Sequence, residues 1–168
     1  EDRGVTVISE IEFAWQFTTG RVVAITGTNG KTTTTHLVHH LFQQAGFSVG
    51  CGGNIGYGLS RLAMETPKDW YILELSSFQL DDITTFCPDI AIILNITPDH
   101  LDRYKNDMSL YADAKWRITK NQQKEDCIIY QADNGYIDAA IQRNPTLAQP
   151  IAVGQPKGVS SSWLDVLG

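Results

Sequence analysis

The sequence has few cysteines, no block of positive charge and no long apolar run, and each shortage excludes a class of protein. Cys51, Cys87 and Cys127 lie far apart without a CxxC pair, so we expect free thiols in a reducing compartment and neither a disulfide framework nor a zinc site. The formal net charge of −6 argues against non-specific nucleic-acid binding. No apolar run approaches the roughly 18 residues of a membrane span, and the start lacks the pattern of a signal peptide, which predicts a cytoplasmic protein.

The 168 residues fit one domain with an adequate core, in which short apolar segments alternate with longer amphipathic ones. Several short segments are apolar throughout, as expected for strands that are covered on both faces. The predicted strands are 22–26, 47–49, 70–75, 89–96, 127–130 and 151–153, and the predicted helices are 31–45, 55–64, 110–124 and 136–143. This alternation predicts an α/β fold with a mostly parallel, doubly wound sheet, whose ligands gather at the carboxyl ends of the strands.

A phosphate-binding loop is predicted where the first strand meets a helix, in the segment GTNGKT at 27–32. Gly27 and Gly30 permit a tight turn close to an anion, and the helix N-terminus supplies amide donors. Lys31 can reach a terminal phosphate, and the Thr32 hydroxyl can hold Mg²⁺, as in P-loops. The spacing departs from GxxxxGK[ST], because Ile25 stands where the first glycine would be. The alternative is a glycine-rich turn without a ligand, which a Gly-Lys-Thr at a strand end disfavours.

Acidic residues follow two other strands. Glu74 ends the strand 70–75, where a carboxylate is a natural ligand for Mg²⁺; the alternative is an edge glutamate that faces solvent. Asp99, His100 and Asp102 follow the apolar segment IAIIL and should reach the same edge of the sheet. A histidine between two acids at a strand end favours a functional role over a structural one.

A lysine occupies an inward helical position. Helical spacing places Tyr111, Ala114, Lys115 and Ile118 on one stripe. An ammonium group there is costly unless it is paired or neutralised. Spacing alone favours a lysine that extends along its alkyl stem to the surface.

Five segments together resemble the Mur ligase family, ATP-dependent ligases that form amide bonds and include the folylpolyglutamate synthases. They are TGTNGKTTT (26–34), GGNIGYGL (52–59), ELSSFQL (74–80), DHLDRY (99–104) and YADAKWRI (111–118). The resemblance covers most of residues 8–153 and is strongest to the branch that adds D-glutamate to UDP-N-acetylmuramoyl-L-alanine in peptidoglycan synthesis. It implies that the carboxylate of that substrate attacks ATP, and that D-glutamate then displaces phosphate from an acyl phosphate.

The resemblance also implies roles for individual residues. The phosphates of ATP would be bound by Gly27, Thr28, Asn29, Gly30, Lys31, Thr32 and Thr33. One Mg²⁺ would be held by Thr32 and Glu74, and a second by His100 and Lys115, the lysine being carbamylated by CO₂. The muramoyl substrate would contact Asn54, Ser76, Gln79 and His100, while Lys31, His100 and Lys115 would be catalytic. A buried lysine readily loses its proton, and only the neutral amine reacts with CO₂.

The implied domain organisation is that of a fragment. Residues 1–20 would connect from an N-terminal domain that binds the uridine nucleotide, and 21–155 would form a truncated central ATP-binding domain. Residues 156–168 would be an irregular tail before a C-terminal domain that binds D-glutamate. We therefore expect small-molecule substrates, no nucleic acid or membrane partner, and no ligation by this chain alone.

Two other functions remain open. The first is a folylpolyglutamate synthase or another amino-acid-adding member, which the pair ELSSFQL and GNIG disfavours. The second is a P-loop nucleotide-binding module without ligase chemistry, which the loop spacing and the lack of an NKxD-like segment disfavour.

Overall fold

The structure, a computed structural model, describes residues 4, 7–99 and 101–154. The strands are β1 (Arg21–Thr26), β2 (Val49–Gly53), β3 (Trp70–Glu74), β4 (Ile90–Ile93), β5 (Cys127–Gln131) and β6 (Gln149–Val153). The helices are α1 (Glu10–Trp15), α2 (Lys31–Gln44), α3 (Leu59–Ala63), α4 (Ser77–Asp81), α5 (Met108–Trp116) and α6 (Gly135–Arg143), and a 3₁₀ turn (Arg117–Thr119) follows α5. Within these described ranges, no helix has the length and apolarity needed to cross a bilayer.

The six strands form one parallel sheet in the order β2-β3-β1-β4-β5-β6, which confirms the predicted α/β fold. The chain leaves β1 toward one edge of the sheet and leaves β4 toward the other. The carboxyl ends of these two neighbouring strands therefore border the crevice in which such sheets bind ligands.

Helices cover the sheet unequally. Helix α2 packs on one face through Val38 and Phe42, against a small core that includes Val23 and Ile25. The other helices contribute to a larger core on the opposite face. Successive residues of β1 are therefore buried on alternate faces, which explains why its sequence is apolar throughout.

Several element bounds differ from the sequence prediction. The helix expected over 55–64 is confined to Leu59–Ala63, because the preceding residues form a turn in which the Gly53 amide donates to the Tyr57 carbonyl at 2.9 Å. The helix expected over 110–124 begins two residues earlier and ends at Trp116. Helices α1 and α4 were not predicted, and α1 lies within the expected connecting segment. The expected tail, 156–168, lies outside the described residues.

Helix α1 is fastened to the loop before β4 by a buried carboxylate. Glu12 is 1% exposed, and its two oxygens accept five hydrogen bonds of 2.5–2.9 Å from Thr84, Thr85 and Phe86. Burial alone would raise the pKa of Glu12, but the hydrogen bonds from Thr85, Thr84 and Phe86 outweigh it and lower the pKa to about 2. We call Glu12 and residues 84–86 the Glu12 corner.

Candidate functional site

The predicted phosphate loop lies between the end of β1 and the start of α2, at the crevice. Gly27 packs so closely on the segment after β4 that a Cβ would lie 3.0 Å from Leu94 Cβ and 3.3 Å from the Asn95 amide nitrogen. Gly30 precedes α2, and no side chain among the described residues caps this helix. The first amide groups of α2, at Lys31, Thr32 and Thr33, have no acceptor within the helix. The local fold is therefore suited to an anion.

Two lysine side chains converge on one carbonyl of this loop. Lys31 Nζ lies 3.0 Å from the Gly27 oxygen and 2.8 Å from the Thr28 oxygen. Lys115 Nζ lies 2.8 Å from the same Gly27 oxygen. Both side chains thus lie beside the position at which the loop would present a phosphate.

The buried stripe on α5 and the following turn is confirmed, and the surface position that spacing favours for Lys115 is wrong. Tyr111, Ala114, Lys115 and Ile118 are all at most 2% exposed. The lysine does not reach solvent, because its stem lies inside the core and its Nζ atom ends 2.8 Å from the Gly27 carbonyl oxygen.

Burial changes the chemistry of the Lys115 amine. It lowers the pKa of Lys115 to about 7, with a further lowering by the Lys31 charge and an opposing effect of Asp99. The Tyr111 ring centroid lies 4.7 Å from Nζ. Near neutral pH, a large fraction of this amine is therefore unprotonated and nucleophilic.

Glu74 is buried at the end of β3 and does not face solvent, which rules out the alternative of an exposed edge glutamate. Its side chain is 2% exposed and accepts hydrogen bonds from Thr32 Oγ1 at 2.8 Å and Asn54 Nδ2 at 3.0 Å. In the described part of the chain, no lysine, arginine or histidine forms an ion pair with it. A buried carboxylate with neutral partners and unused lone pairs fits a hard divalent cation.

The protein groups available to such a cation are few. Among the described residues, no three His, Cys, Asp or Glu side chains cluster as a metal site. The Thr32 hydroxyl and the Glu74 carboxylate are thus a partial donor set, of the kind that Mg²⁺ completes with water and phosphate oxygens. We call residues 27–33 with Glu74 and Lys115 the loop site.

Two glycines at the end of β2, Gly52 and Gly53, allow the turn that places Asn54 against Glu74. A Cβ at Gly53, whose φ is +102°, would overlap the Glu74 carbonyl oxygen, and one at Gly52 would overlap the Tyr57 carbonyl oxygen. The Asn54 amide donates to the Glu74 carbonyl at 2.8 Å. Any side chain at Gly53 would therefore push Asn54 away from the carboxylate.

Ser76 and Gln79 are brought together at the start of α4, directly beyond Glu74. The Gln79 Oε1 atom accepts from the Ser76 amide at 3.0 Å and from its hydroxyl at 2.9 Å, while the Gln79 amide donates to Ser76 Oγ at 3.4 Å. These contacts form a capping box. Both side chains lie at the expected rim of the sheet. His100, the remaining predicted site residue, lies outside the described residues.

Residues after β4 that were given no role also hold the loop. The Asn29 amide donates to Asn95 Oδ1 at 2.9 Å, and Asn95 Nδ2 donates to the Asn29 carbonyl at 3.0 Å. Thr28 Oγ1 lies 3.1 Å from both the amide nitrogen and the carbonyl oxygen of Thr97, and 3.4 Å from the Tyr111 hydroxyl. The sequence signal that could have indicated this role is the position of Asn95, just after the strand that lies beside the loop.

Comparison with known proteins agrees with this geometry. Residues 25–159 match the Mur ligase middle domain. The chain is 46% identical over 163 residues to a UDP-N-acetylmuramoylalanine–D-glutamate ligase of Porphyromonas gingivalis, covering 96% of this chain and 36% of that protein. It is 49% identical over 143 residues to the ligase of that name from Bacteroides fragilis, covering 85% and 32%. The chain thus spans about a third of the length of these relatives.

A solved structure shares the fold. The MurF ligase from Thermotoga maritima, in complex with ADP, superposes with a TM-score of 0.66 at 22% identity, over 86% of this chain and 34% of that one. With the match to the middle domain covering most of the sequence, this chain belongs to the Mur ligase family.

Proposed function

We propose that the protein containing this chain is an ATP-dependent ligase that adds D-glutamate to UDP-N-acetylmuramoyl-L-alanine. This chain would be its ATP-binding and phosphate-transfer domain. The observation that carries the proposal is the loop site, where Lys31, Lys115 and the Thr32–Glu74 pair surround an uncapped helix N-terminus. The names of the relatives supply the identity of the amino acid and the acceptor.

The remaining domains would bind the rest of the substrates. Residues 1–20 would connect from a domain for the uridine nucleotide, 21–155 would be the ATP-binding domain, and 156–168 would lead toward a domain for D-glutamate. The enzyme would act in the cytoplasm, in peptidoglycan synthesis and therefore in cell shape and division. This chain alone would not ligate.

The loop would first bind ATP through the free amides of α2 and through Lys31. Lys31 Nζ would exchange the Gly27 and Thr28 carbonyls for phosphate oxygens, a stronger, charge-assisted interaction. The substrate carboxylate attacks the γ-phosphorus, the bond to ADP breaks, and an acyl phosphate forms. The amine of D-glutamate then attacks the acyl carbon and loses a proton, and the tetrahedral intermediate expels phosphate to leave the amide.

Thr32 and Glu74 would hold one Mg²⁺, and His100 with carbamylated Lys115 would hold the other. When bound, these ions screen the repulsion between carboxylate and phosphate. The neutral Lys115 amine would attack CO₂ and release one proton, giving a carbamate that carries a negative charge. The buried position of the amine and its lowered pKa support this modification.

Substrate contacts would come from the adjoining rim. Asn54, Ser76, Gln79 and His100 would contact the muramoyl group near its reacting carboxylate. The hydrogen bond from Asn54 to Glu74 and the capping box of Ser76 and Gln79 would fix their positions before the substrate binds, so that little ordering is needed on binding.

The test is synthesis of UDP-N-acetylmuramoyl-L-alanyl-D-glutamate by the full-length protein, compared with Lys31→Ala. We expect Lys31→Ala to lose on the order of 100-fold or more in kcat/KM, because the substitution removes the positive charge that stabilises the transferring phosphate. Lys124→Ala is the matched control, since its side chain is 85% exposed before β5, at the opposite end of the sheet. Product formation by the unsubstituted protein at the level of Lys31→Ala would refute the proposal, and a preference for folate substrates or for GTP would favour the alternatives.

The modification of Lys115 has its own test. Lys115→Ala should lose activity to a similar extent, and short carboxylates such as acetate should restore part of it by supplying the missing oxygen ligand. Lys115→Ala without such rescue, together with no carbamate carbon signal in protein incubated with ¹³C-labelled bicarbonate, would argue against the carbamate.

A further inference from the structure

Asn95, the second residue after β4, bonds to both backbone polar groups of Asn29 in the phosphate loop. We infer that Asn95 is a positioning residue that holds the loop in the shape that receives the nucleotide phosphates. The inference rests on the proposed function only in taking ATP as the ligand. Asn95 would not touch the nucleotide and would act through the loop backbone.

The contacts form a continuous ladder beyond the ends of two strands. Strand β1 ends at Thr26 and β4 at Ile93, yet the Leu94 amide donates to the Thr26 carbonyl at 3.0 Å and the Thr28 amide donates to the Asn95 carbonyl at 2.9 Å. The Asn95 side chain then continues this pairing one residue further, at Asn29. The rigid sheet is thereby extended into the loop up to the residue before Gly30.

At Asn29 the partner must accept from the backbone N–H and donate to the backbone C=O, and an asparagine side chain does both. The carboxamide presents an acceptor and a donor side by side, which matches the N–H and C=O of a single residue. An aspartate would lack the donor, and a leucine of similar shape would lack both groups. Asn29 itself is exposed, so without Asn95 water would compete for its backbone groups.

The role that we infer for Asn95 affects the affinity for ATP more than the rate of the chemical step. The amides after Asn29 lead directly into α2, so a loop that is fixed at Asn29 presents them without further ordering. A loop released from Asn95 would lose conformational entropy on binding, which weakens the complex. Once phosphate is bound, its contacts with the loop restore the same geometry, so kcat changes less than KM.

The experiment uses the full-length protein with Asn95→Ala and Asn95→Leu. Asn121→Ala is the matched control, because Asn121 also donates two hydrogen bonds to backbone carbonyls, at Thr84 and Phe86. Binding of a non-hydrolysable ATP analogue is measured by calorimetry, KM and kcat by steady-state kinetics, and hydrogen exchange of the peptide 26–31 by mass spectrometry.

We expect both Asn95 variants to bind the analogue about tenfold more weakly, with a matching rise in KM and a kcat within about threefold. Amide exchange in the peptide 26–31 should accelerate by about tenfold in the absence of nucleotide, and Asn121→Ala should leave all three quantities within about twofold. The Leu variant preserves the shape of Asn95, so it provides the test if the Ala variant does not fold.

Variants that bind the analogue as the unsubstituted protein does, with unchanged exchange at 26–31, would overturn the inference. A fall in kcat with an unchanged KM would also overturn it, because that pattern requires a role in the chemical step. If the unsubstituted protein binds no analogue, the proposed function fails instead, and the exchange rate at 26–31 still decides whether Asn95 holds the loop.

Discussion

The Glu12 corner and the loop site each bury a carboxylate, and they satisfy it to different extents. Glu12 accepts five hydrogen bonds from neutral donors, and Glu74 accepts two, from Thr32 and Asn54. Both side chains are at most 2% exposed. Burial alone therefore does not distinguish a structural acid such as Glu12 from the proposed metal ligand Glu74.

The number and origin of the donors make the distinction. At the corner, backbone amides and hydroxyls of consecutive residues surround the carboxylate and leave little room for another ligand. At the loop site, Glu74 retains unused lone pairs and contacts Thr32 in the first turn of an uncapped helix. The first arrangement stabilises the fold, and the second leaves a charge to be compensated by a ligand.

The largest expected effect that would separate the two acids is on activity. Glu74→Gln in the full-length protein should lower kcat/KM on the order of 1,000-fold, equal to about 4 kcal/mol, because the amide cannot compensate a divalent cation. Its free energy of unfolding should change by less than about 1 kcal/mol, since losing a buried charge offsets weaker hydrogen bonds. A variant that retains activity at saturating Mg²⁺ would place Glu74 in the same class as Glu12.

The reverse pattern is expected at the corner. Glu12→Gln should lower the free energy of unfolding by about 3 kcal/mol, because an amide nitrogen would face donors that now have no acceptor. Urea denaturation measures this loss, while kcat per folded molecule should stay unchanged. Glu10→Gln is the matched control, since Glu10 is exposed and accepts one hydrogen bond, from the Ser60 amide at 2.6 Å. Equal losses from both substitutions would contradict the assigned role of Glu12.

The smallest of the three effects is the acid dependence of stability. The pKa of Glu12 is lowered from 4.5 to about 2 on folding, so its contribution is fully present above pH 4.5 and is lost as the pH falls through about 2. The unsubstituted protein should lose about 2 kcal/mol between about pH 6 and about pH 3 through this group. Urea midpoints across that range, compared with Glu12→Gln, isolate the effect. Parallel curves for the two proteins would show that Glu12 does not cause it.

The sequence predicted the sheet and much of the loop site because their signals are local. The apolar segments, the Gly-Lys-Thr of the loop and the inward position of Lys115 are visible in short stretches of the chain. The resemblance supplied Asn54, which spacing alone does not connect with Glu74. The loop, Asn54 and Glu74 lie at the carboxyl ends of parallel strands, so the sheet places them at one rim.

The missed features are those that depend on partners distant in the sequence. Glu12 reaches residues more than 70 positions away, and Asn95 bonds to Asn29, 66 positions earlier. Neither pairing leaves a periodic pattern. Helices α1 and α4 are too short to show a periodicity, and α4 is identified by its capping box only once the end of β3 is known.

The two glycines at the end of β2 have a consequence for mutational scanning of this protein. Gly52 and Gly53 touch no substrate in the proposed reaction, yet backbone carbonyls occupy the space that any side chain there would need. A saturation library scored by growth would therefore reject nearly every substitution at both positions, as it would at Glu74. A tolerance map would show these glycines and the acid as equally essential. Only a separate assay of folded abundance would distinguish the glycines, which the fold requires, from Glu74, which the proposed reaction requires.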